Sequence, residues 1–358
     1  MANPTPLRLG LEIEAVFVPK ELEALGPGGK PLEPKEFAAQ LANGFSNTLG
    51  LHSVYGDDYN KYRGKKYKEW EIIHDETLRE DPTNMTYPLE ITSPILTFDP
   101  EGNWRHQVRK LFAHIDTKCV RMETNKSCGF HVHLSPGDGK PWTLDQLKRI
   151  CFSIYYFEGA LLALLPVSRR HSMFVSSRQM YNRNFFNLST KACYQLIFEK
   201  KSIRDLVCLM QEEEDVCCSW NFRNLLGDKP GWKSTGATIE WRQPPGITTV
   251  EECLVWAEVA VTFVQAVRHW SSIGDEIHDV ARGYTADVEG LRKAVFERGI
   301  PMTPGSDVRY LDTAFKGRSG QVTCDECGYD NYTEIPVEEE SEEEGRIDAA
   351  LLDKLRNI

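Results

Sequence analysis

No stretch of this sequence stays apolar for the roughly 18–20 residues that a membrane-spanning helix requires. The opening Met1-Ala-Asn-Pro-Thr-Pro has neither the basic nor the apolar region of a secretory signal. Cytoplasmic residence with no membrane partner is the expectation. Basic charge is scarce as well: 42 Lys and Arg stand against 53 Asp and Glu, a net charge of -11. That balance argues against duplex nucleic acid as a partner. There is no internal repeat and no His-Glu-x-x-His helix, and Gly26 to Lys30 lacks the spacing and the Ser or Thr of a phosphate-binding loop. Ten cysteines are scattered through apolar and helical stretches, a pattern of reduced buried thiols and not of a disulfide framework. Cys324-x-x-Cys327 is half of a zinc knuckle. A structural zinc there would need two further ligands that no second CxxC or His pair supplies.

What is present is enough apolar residue for a large core, 41% of 358 residues. Leu7 to Val18 reads as a strand, and segments near Trp70 to His74 and Tyr87 to Thr92 read as two more. Pro34 to Leu49 reads as a helix. Asp99-Pro100-Glu101 has the form of an N-cap followed by proline and predicts a helix to about Arg121. Capping boxes at Thr143 to Gln146 and Thr249 to Glu252 predict two long helices, the first running to about Leu165. In the second, Leu254, Ala257, Val261, Val264 and Val267 recur at helical spacing and predict a face laid on a sheet. Strands and helices alternate without a regular βαβ rhythm. The expected class is therefore α+β, a mainly antiparallel sheet with helices on one face and polar groups on the other. Residues 1–330 form one catalytic unit in this reading, with core motifs over 7–270 and a helical extension over 271–330. Residues 331–358 are an acidic tail ending in an amphipathic helix.

Four strand-like segments place chemistry-bearing side chains two residues apart: Glu12 and Glu14; His131 and His133; Glu240 and Arg242; and, singly, Glu90. Residues i and i+2 of a strand share a face. Taken one at a time, such alternation is what the solvated face of any antiparallel sheet gives. Taken together, these positions hold four carboxylates, two imidazoles and a guanidinium, where an ordinary wet face mixes Lys, Thr, Ser and Gln. Like charges collected on one face need cations to neutralise them. Carboxylates with one or two imidazoles suit Mg²⁺ or Mn²⁺, and a guanidinium beside them suits a phosphoryl or carboxylate group.

The Glu-x-Glu strand, Leu-Glu-Ile-Thr-Ser-Pro at Leu89 to Pro94, Gly-Phe-His-Val-His at Gly129 to His133 and Thr-Ile-Glu-Trp-Arg at Thr238 to Arg242 together resemble the amidoligase family. That family belongs to the carboxylate-amine ligases with the glutamine synthetase catalytic fold. The resemblance implies a curved antiparallel sheet carrying an ATP and Mg²⁺ (or Mn²⁺) site. By it, Glu12, His131 and Glu240 hold the metal bridging the ATP phosphates, and Glu14 and Glu90 hold one nearer the substrate carboxylate. Arg242 steadies the transferred phosphoryl group, and His133 orients a ligand or touches substrate. Arg170 and Arg183 stand where the family contacts nucleotide or substrate, and Asp75 where it contacts substrate. The implied reaction joins a small-molecule or peptide carboxylate to an amine through an acyl phosphate.

Other readings stay open at this point. A kinase of the same fold would leave a phosphorylated product, and an inactive binding or scaffold protein would use the face only as a pocket. A metal-dependent hydrolase gains only from His131-x-His133. Lys61, Arg63, Lys65, Lys66 and Lys68 form a basic stretch that reads as a solvated loop or as a flap over an anionic ligand. Oligomeric state is not readable from the sequence.

Overall fold

The structure, a computed structural model, describes residues 5–45, 50–54, 67–73, 75, 77–78, 85–170, 182–185, 188–211, 218–227, 237–269, 283–322, 347 and 349–356. The basic positions 61–66, the Cys324/Cys327 pair and most of the acidic tail lie outside these residues.

Alternation in the longest strand sets the architecture. In β1 (Leu7–Pro19) Leu7, Leu9, Leu11, Ile13, Ala15 and Phe17 are all buried, so one face belongs to the core. Arg8, Gly10, Glu12 and Glu14 lie on the other. The remaining strands are β2 (Leu51–Val54), β3 (Trp70–Ile73), β4 (Tyr87–Thr92), β5 (Leu96–Thr97), β6 (Cys119–Glu123), β7 (Phe130–Pro136), β8 (Trp220–Asn221) and β9 (Ile239–Trp241). They join in the order β2-β3-β4-β1-β7-β9-β8, with β5 and β6 also paired to β1. The β2/β3 pair is parallel and every other pair is antiparallel. The class is α+β.

The helices are α1 (Pro34–Ala42), α2 (Asn103–Lys118), α3 (Leu144–Tyr156), α4 (Glu158–Ala163), α5 (Val167–Arg170), α6 (Thr190–Glu199), α7 (Ile203–Met210), α8 (Val250–Arg268), α9 (Val288–Ala294), α10 (Val308–Phe315) and α11 (Ala349–Arg356). Both capping boxes form: Thr143 and Thr249 accept from the backbone N–H of Gln146 and Glu252, whose side chains reach back to the caps. Helix α8 packs on β1 and β7 with one side and on α2, α3 and α10 with others. Its residues from Glu251 to Arg268 are consequently buried all round, where the sequence pattern predicts a single apolar stripe. Among its buried groups is Glu258, paired with Arg105 of α2.

Four boundaries differ from expectation, each for a local reason. Helix α1 stops at Ala42, short of Leu49, because Asn43 takes an extended conformation (φ -69°, ψ 134°). Helix α2 starts at Asn103, because Gly102 takes a left-handed conformation (φ 72°) and Asp99 Oδ1 caps from outside by accepting from the Asn103 N–H at 3.0 Å. It stops at Lys118 because Cys119–Glu123 is drawn into pairing with β1. The helix after Thr143 breaks at Phe157 and resumes as α4.

Candidate active site

Strand register converts the sequence pairs into rows across the sheet. One row runs Glu71, Thr92, Glu12, His131 over β3, β4, β1 and β7. A second runs Asn221, Glu240, His133, Gly10 over β8, β9, β7 and β1. Glu14 faces Glu90 in a third. Directly opposed residues have Cβ atoms about 4.5–5.5 Å apart, so one patch of sheet collects five acids and two imidazoles. The core-facing partners that hold these strands are bulky and dry: Phe130, Val132, Ile239 and Trp241 are all fully buried.

Glu12 is the hub. Its Oε2 lies 2.9 Å from His131 Nδ1 and its Oε1 lies 2.8 Å from His133 Nε2. His133 Nε2 is also 3.8 Å from Glu240 Oε1. One ligand atom each from Glu12, His133 and Glu240 lies within 4.8 Å of the others, and this is the group of three that the described residues bring together around a common centre. His131 sits deeper, with Nε2 3.6 Å from Glu14 Oε1 and Nδ1 3.7 Å from Glu240 Oε1.

Each group is held from behind. The Gly129 N–H donates to Glu14 Oε2 at 2.6 Å. Asn221 Nδ2 donates to Glu240 Oε2 at 2.8 Å, and Asn221 Oδ1 accepts from Gln211 Nε2 at 3.2 Å. Thr238 Oγ1 lies 3.1 Å from His133 Nδ1 and accepts from Asn224 Nδ2 at 3.2 Å. Arg242 pairs with Glu240 through Nη1, while its buried Nε has no hydrogen-bond partner among the described residues. Arg169, on α5, donates to the carbonyls of Arg242 (3.1 Å) and Gln243 (3.2 Å), and its Nη1 likewise lacks a partner among them.

Electrostatics separates the acids into two kinds. Burial pushes the Glu12 carboxyl up, but His133 and His131 outweigh it and hold Glu12 well below the ordinary carboxylate range. Glu240 is also lowered, because Arg242 and His133 overcome its burial. Glu14 is raised by burial against the pull of His131, Arg242 and Arg169. Glu90 is raised well above the ordinary value by burial and by the charges of Glu12, Glu14 and Asp75. Burial lowers His133, but Glu12 and Glu240 win and lift it to about 9. Arg169 is lowered to about 10 by burial, despite Glu14. Acids that raise one another in this way are the arrangement a divalent cation relieves. The oxygen-rich donor set around Glu12, with one imidazole, fits Mg²⁺ or Mn²⁺.

Glu12, Glu14, Glu90, His131, His133, Glu240 and Arg242 thus share one face. Asp75 caps a turn by accepting from the Thr77 N–H and hydroxyl, both at 2.7 Å, and its charge still reaches Glu90. Arg170 turns elsewhere, donating to the carbonyls of Leu165 (3.0 Å) and Ala163 (3.3 Å). Arg183 is exposed on a turn. The basic side chain that reaches the acids from this region is Arg169, one residue before the one singled out in the sequence. Asn221 and Thr238 were also not singled out. Asn221 carries the signal of the other site strands, a polar residue between the apolar Trp220 and Phe222, but in a strand of two residues.

No curated protein matches the chain. A family model described as "Putative amidoligase enzyme" matches residues 5–264, a span that begins just before β1 and ends inside α8, and so takes in every strand of the sheet and every acid of the site. The chain is a member of this amidoligase family.

Proposed function

We propose that the protein is an ATP-dependent carboxylate-amine ligase with a glutamine synthetase-like catalytic sheet. The observation that carries this reading is the convergence of Glu12, His133 and Glu240 beside Arg242, in a member of an amidoligase family. Glu12, His133 and Glu240 would hold one divalent cation, and Glu14 with Glu90, opposed across β1 and β4, a second. His131 locks Glu12 to Glu14 and shapes both positions. Bound there, Mg²⁺ or Mn²⁺ would neutralise phosphate oxygens and act as a Lewis acid.

The substrate carboxylate attacks the γ-phosphorus of ATP; the bond to the β,γ-bridging oxygen breaks, ADP leaves, and an acyl phosphate forms. The amine then attacks the acyl carbon, orthophosphate leaves with the carboxylate's oxygen, and the amine's proton is released. Arg242 meets the charge gathering on the phosphoryl oxygens with the exposed part of its guanidinium that Glu240 does not engage. Arg169 holds the Arg242 and Gln243 carbonyls and so fixes the backbone just beyond β9. Asn221 and Gly129 keep the Glu240 and Glu14 carboxylates aimed.

The test is incubation with ATP, Mg²⁺, amines and a panel of carboxylates labelled with ¹⁸O in the carboxyl group. Acid-dependent ADP release with one ¹⁸O carried into orthophosphate is the expected result. A phosphorylated product without orthophosphate would mark a kinase instead. Absence of acid-dependent ADP release across the panel overturns the reading.

A further inference from the structure

In the row Asn221, Glu240, His133, Gly10, the β1 position has no side chain. Gly10 does not have the positive φ that reserves a site for glycine, and a Cβ placed on it would meet His133 Cβ at an ordinary 3.4 Å. The backbone therefore does not demand glycine here. What glycine does is leave a gap, and an open recess lies over it. One end of the recess is bounded by Glu12 and His133, and the other by Arg8. Its side walls include Tyr67 and Ile95, and Ile95 is 56% exposed, a large apolar side chain presented to the mouth. Arg8 lies on the same face of β1 as Glu12, about 13 Å away along the strand. Among the described residues no hydrogen bond or ion pair engages its guanidinium, unlike that of Arg242 or Arg169. An unpaired, half-buried guanidinium at the end of an apolar trough selects an anion, preferably one bound bidentately.

We infer that this recess binds the acid substrate, and that the acid carries a second anionic group on an apolar stem. Arg8 holds the distal anion while the reacting carboxylate lies at Glu12 and His133. That the bound acid is a substrate, and which of its ends reacts, rest on the ligase reading; that the recess binds such a diacid does not. Adenosine, being uncharged, would leave Arg8 without a partner, so a nucleoside is the less fitting occupant.

The recess is tested by calorimetric titration of the full chain in Mg²⁺ with the dicarboxylates from glutarate to sebacate, each against its monocarboxylate of equal length. At the best length the diacid should bind about tenfold or more tighter than the monoacid, the effect of one charge-assisted pairing. Arg8→Ala should bring that ratio to near one and Arg8→Lys should retain part of it. Gly10→Leu should weaken both acids by filling the gap. Binding of no diacid, equal binding of diacid and monoacid, a preference that survives Arg8→Ala, or competitive displacement of the diacid by adenosine would each overturn the inference. The titration needs no turnover. If acid-dependent ADP release is seen but the titration fails, only the recess assignment falls; if the titration succeeds without ADP release, only the ligase reading falls.

Discussion

Gly129 offers the sharpest check on the site's packing. A methyl group added there would sit 2.5 Å from Arg169 Nη2, 2.8 Å from His131 Nε2 and 3.2 Å from Glu14 Oε2. Carbon and nitrogen need well over 3 Å, so Arg169 Nη2 would have to retreat by close to 1 Å. It is held by the Arg242 carbonyl at 3.1 Å and by the Nε bond to Gln243, and a retreat of that size breaks the first. The lost hydrogen bond costs about 1 kcal/mol and the overpacking about 1–3 kcal/mol, so Gly129→Ala should destabilise by roughly 2–4 kcal/mol. For a chain of 358 residues that corresponds to a fall in Tm of about 3–5 °C, measurable by calorimetry or circular dichroism. Divalent-cation binding should weaken in parallel, because Glu14 accepts the Gly129 N–H and moves with it. A variant with unchanged Tm and unchanged Mn²⁺ affinity would refute the close packing of Arg169, His131 and Glu14 around this glycine.

Three further outcomes are expected. Glu240→Gln keeps the side-chain shape but removes a charge from the three-ligand group, and should lower Mn²⁺ affinity about tenfold or more in a calorimetric or paramagnetic titration; unchanged affinity excludes Glu240 as a ligand. Trp241→Ala removes a fully buried ring lying 5.8 Å from Trp220 and 6.0 Å from Trp256, and should cost about 3–5 kcal/mol in urea unfolding. Glu258 is raised to about 7, chiefly by burial and despite Arg105 and Ser306, against an ordinary 4.5. Between those values the folded state holds more protons than the unfolded one, so this group's contribution makes stability fall as pH rises from about 5 to 7, by an amount on the order of 1–3 kcal/mol. Glu258→Gln should flatten that slope, and an identical pH profile in the variant would exclude Glu258 as its source.

The face was legible because alternation in β1 and β7 runs over long strands, where the core-facing residues from Leu7 to Phe17 and from Phe130 to Pro136 are Leu, Ile, Val and Phe except for Ala15 and Pro136. Its register was not. Nothing in the sequence says that Gly10 stands opposite His133 or that Glu14 stands opposite Glu90, since pairing is a property of two distant segments. That is why the resemblance could group His131 with Glu12 and Glu240, whereas the described residues bring His133 together with them. The capping boxes at Thr143 and Thr249 fixed two helix starts through local hydrogen bonds. The start and end of α2 were misread because a glycine's left-handed turn and the pairing of β6 with β1 overrode the local signal. Arg169 was passed over for Arg170 because adjacent residues of one short helix point in different directions, and only packing shows which turns toward the acids.

The distribution of cations on the face bears on how such a site could order two anionic ligands. Arg242 and Arg169 stand beside Glu240 and Glu14 and are already tied down, Arg242 by a carboxylate and Arg169 by backbone carbonyls. In the proposed ligase they would be pre-positioned groups that shape charge around a transferring phosphoryl without reorganising. Arg8 is the opposite case, half-buried and, among the described residues, unengaged at the far end of β1. A ligand gains most from a cation that has no partner to lose, because pairing then replaces only water. In the proposed reaction, initial recognition of the acid would then belong at the Arg8 end, and stabilisation of developing charge at the Arg242 end, with the Glu12 hub between them. Substitutions at the two ends should then separate kinetically: Arg8→Ala raising KM for the acid with kcat little changed, and Arg242→Ala lowering kcat with the acid's KM little changed. Equal effects of both substitutions on both constants would refute this division of the sheet face.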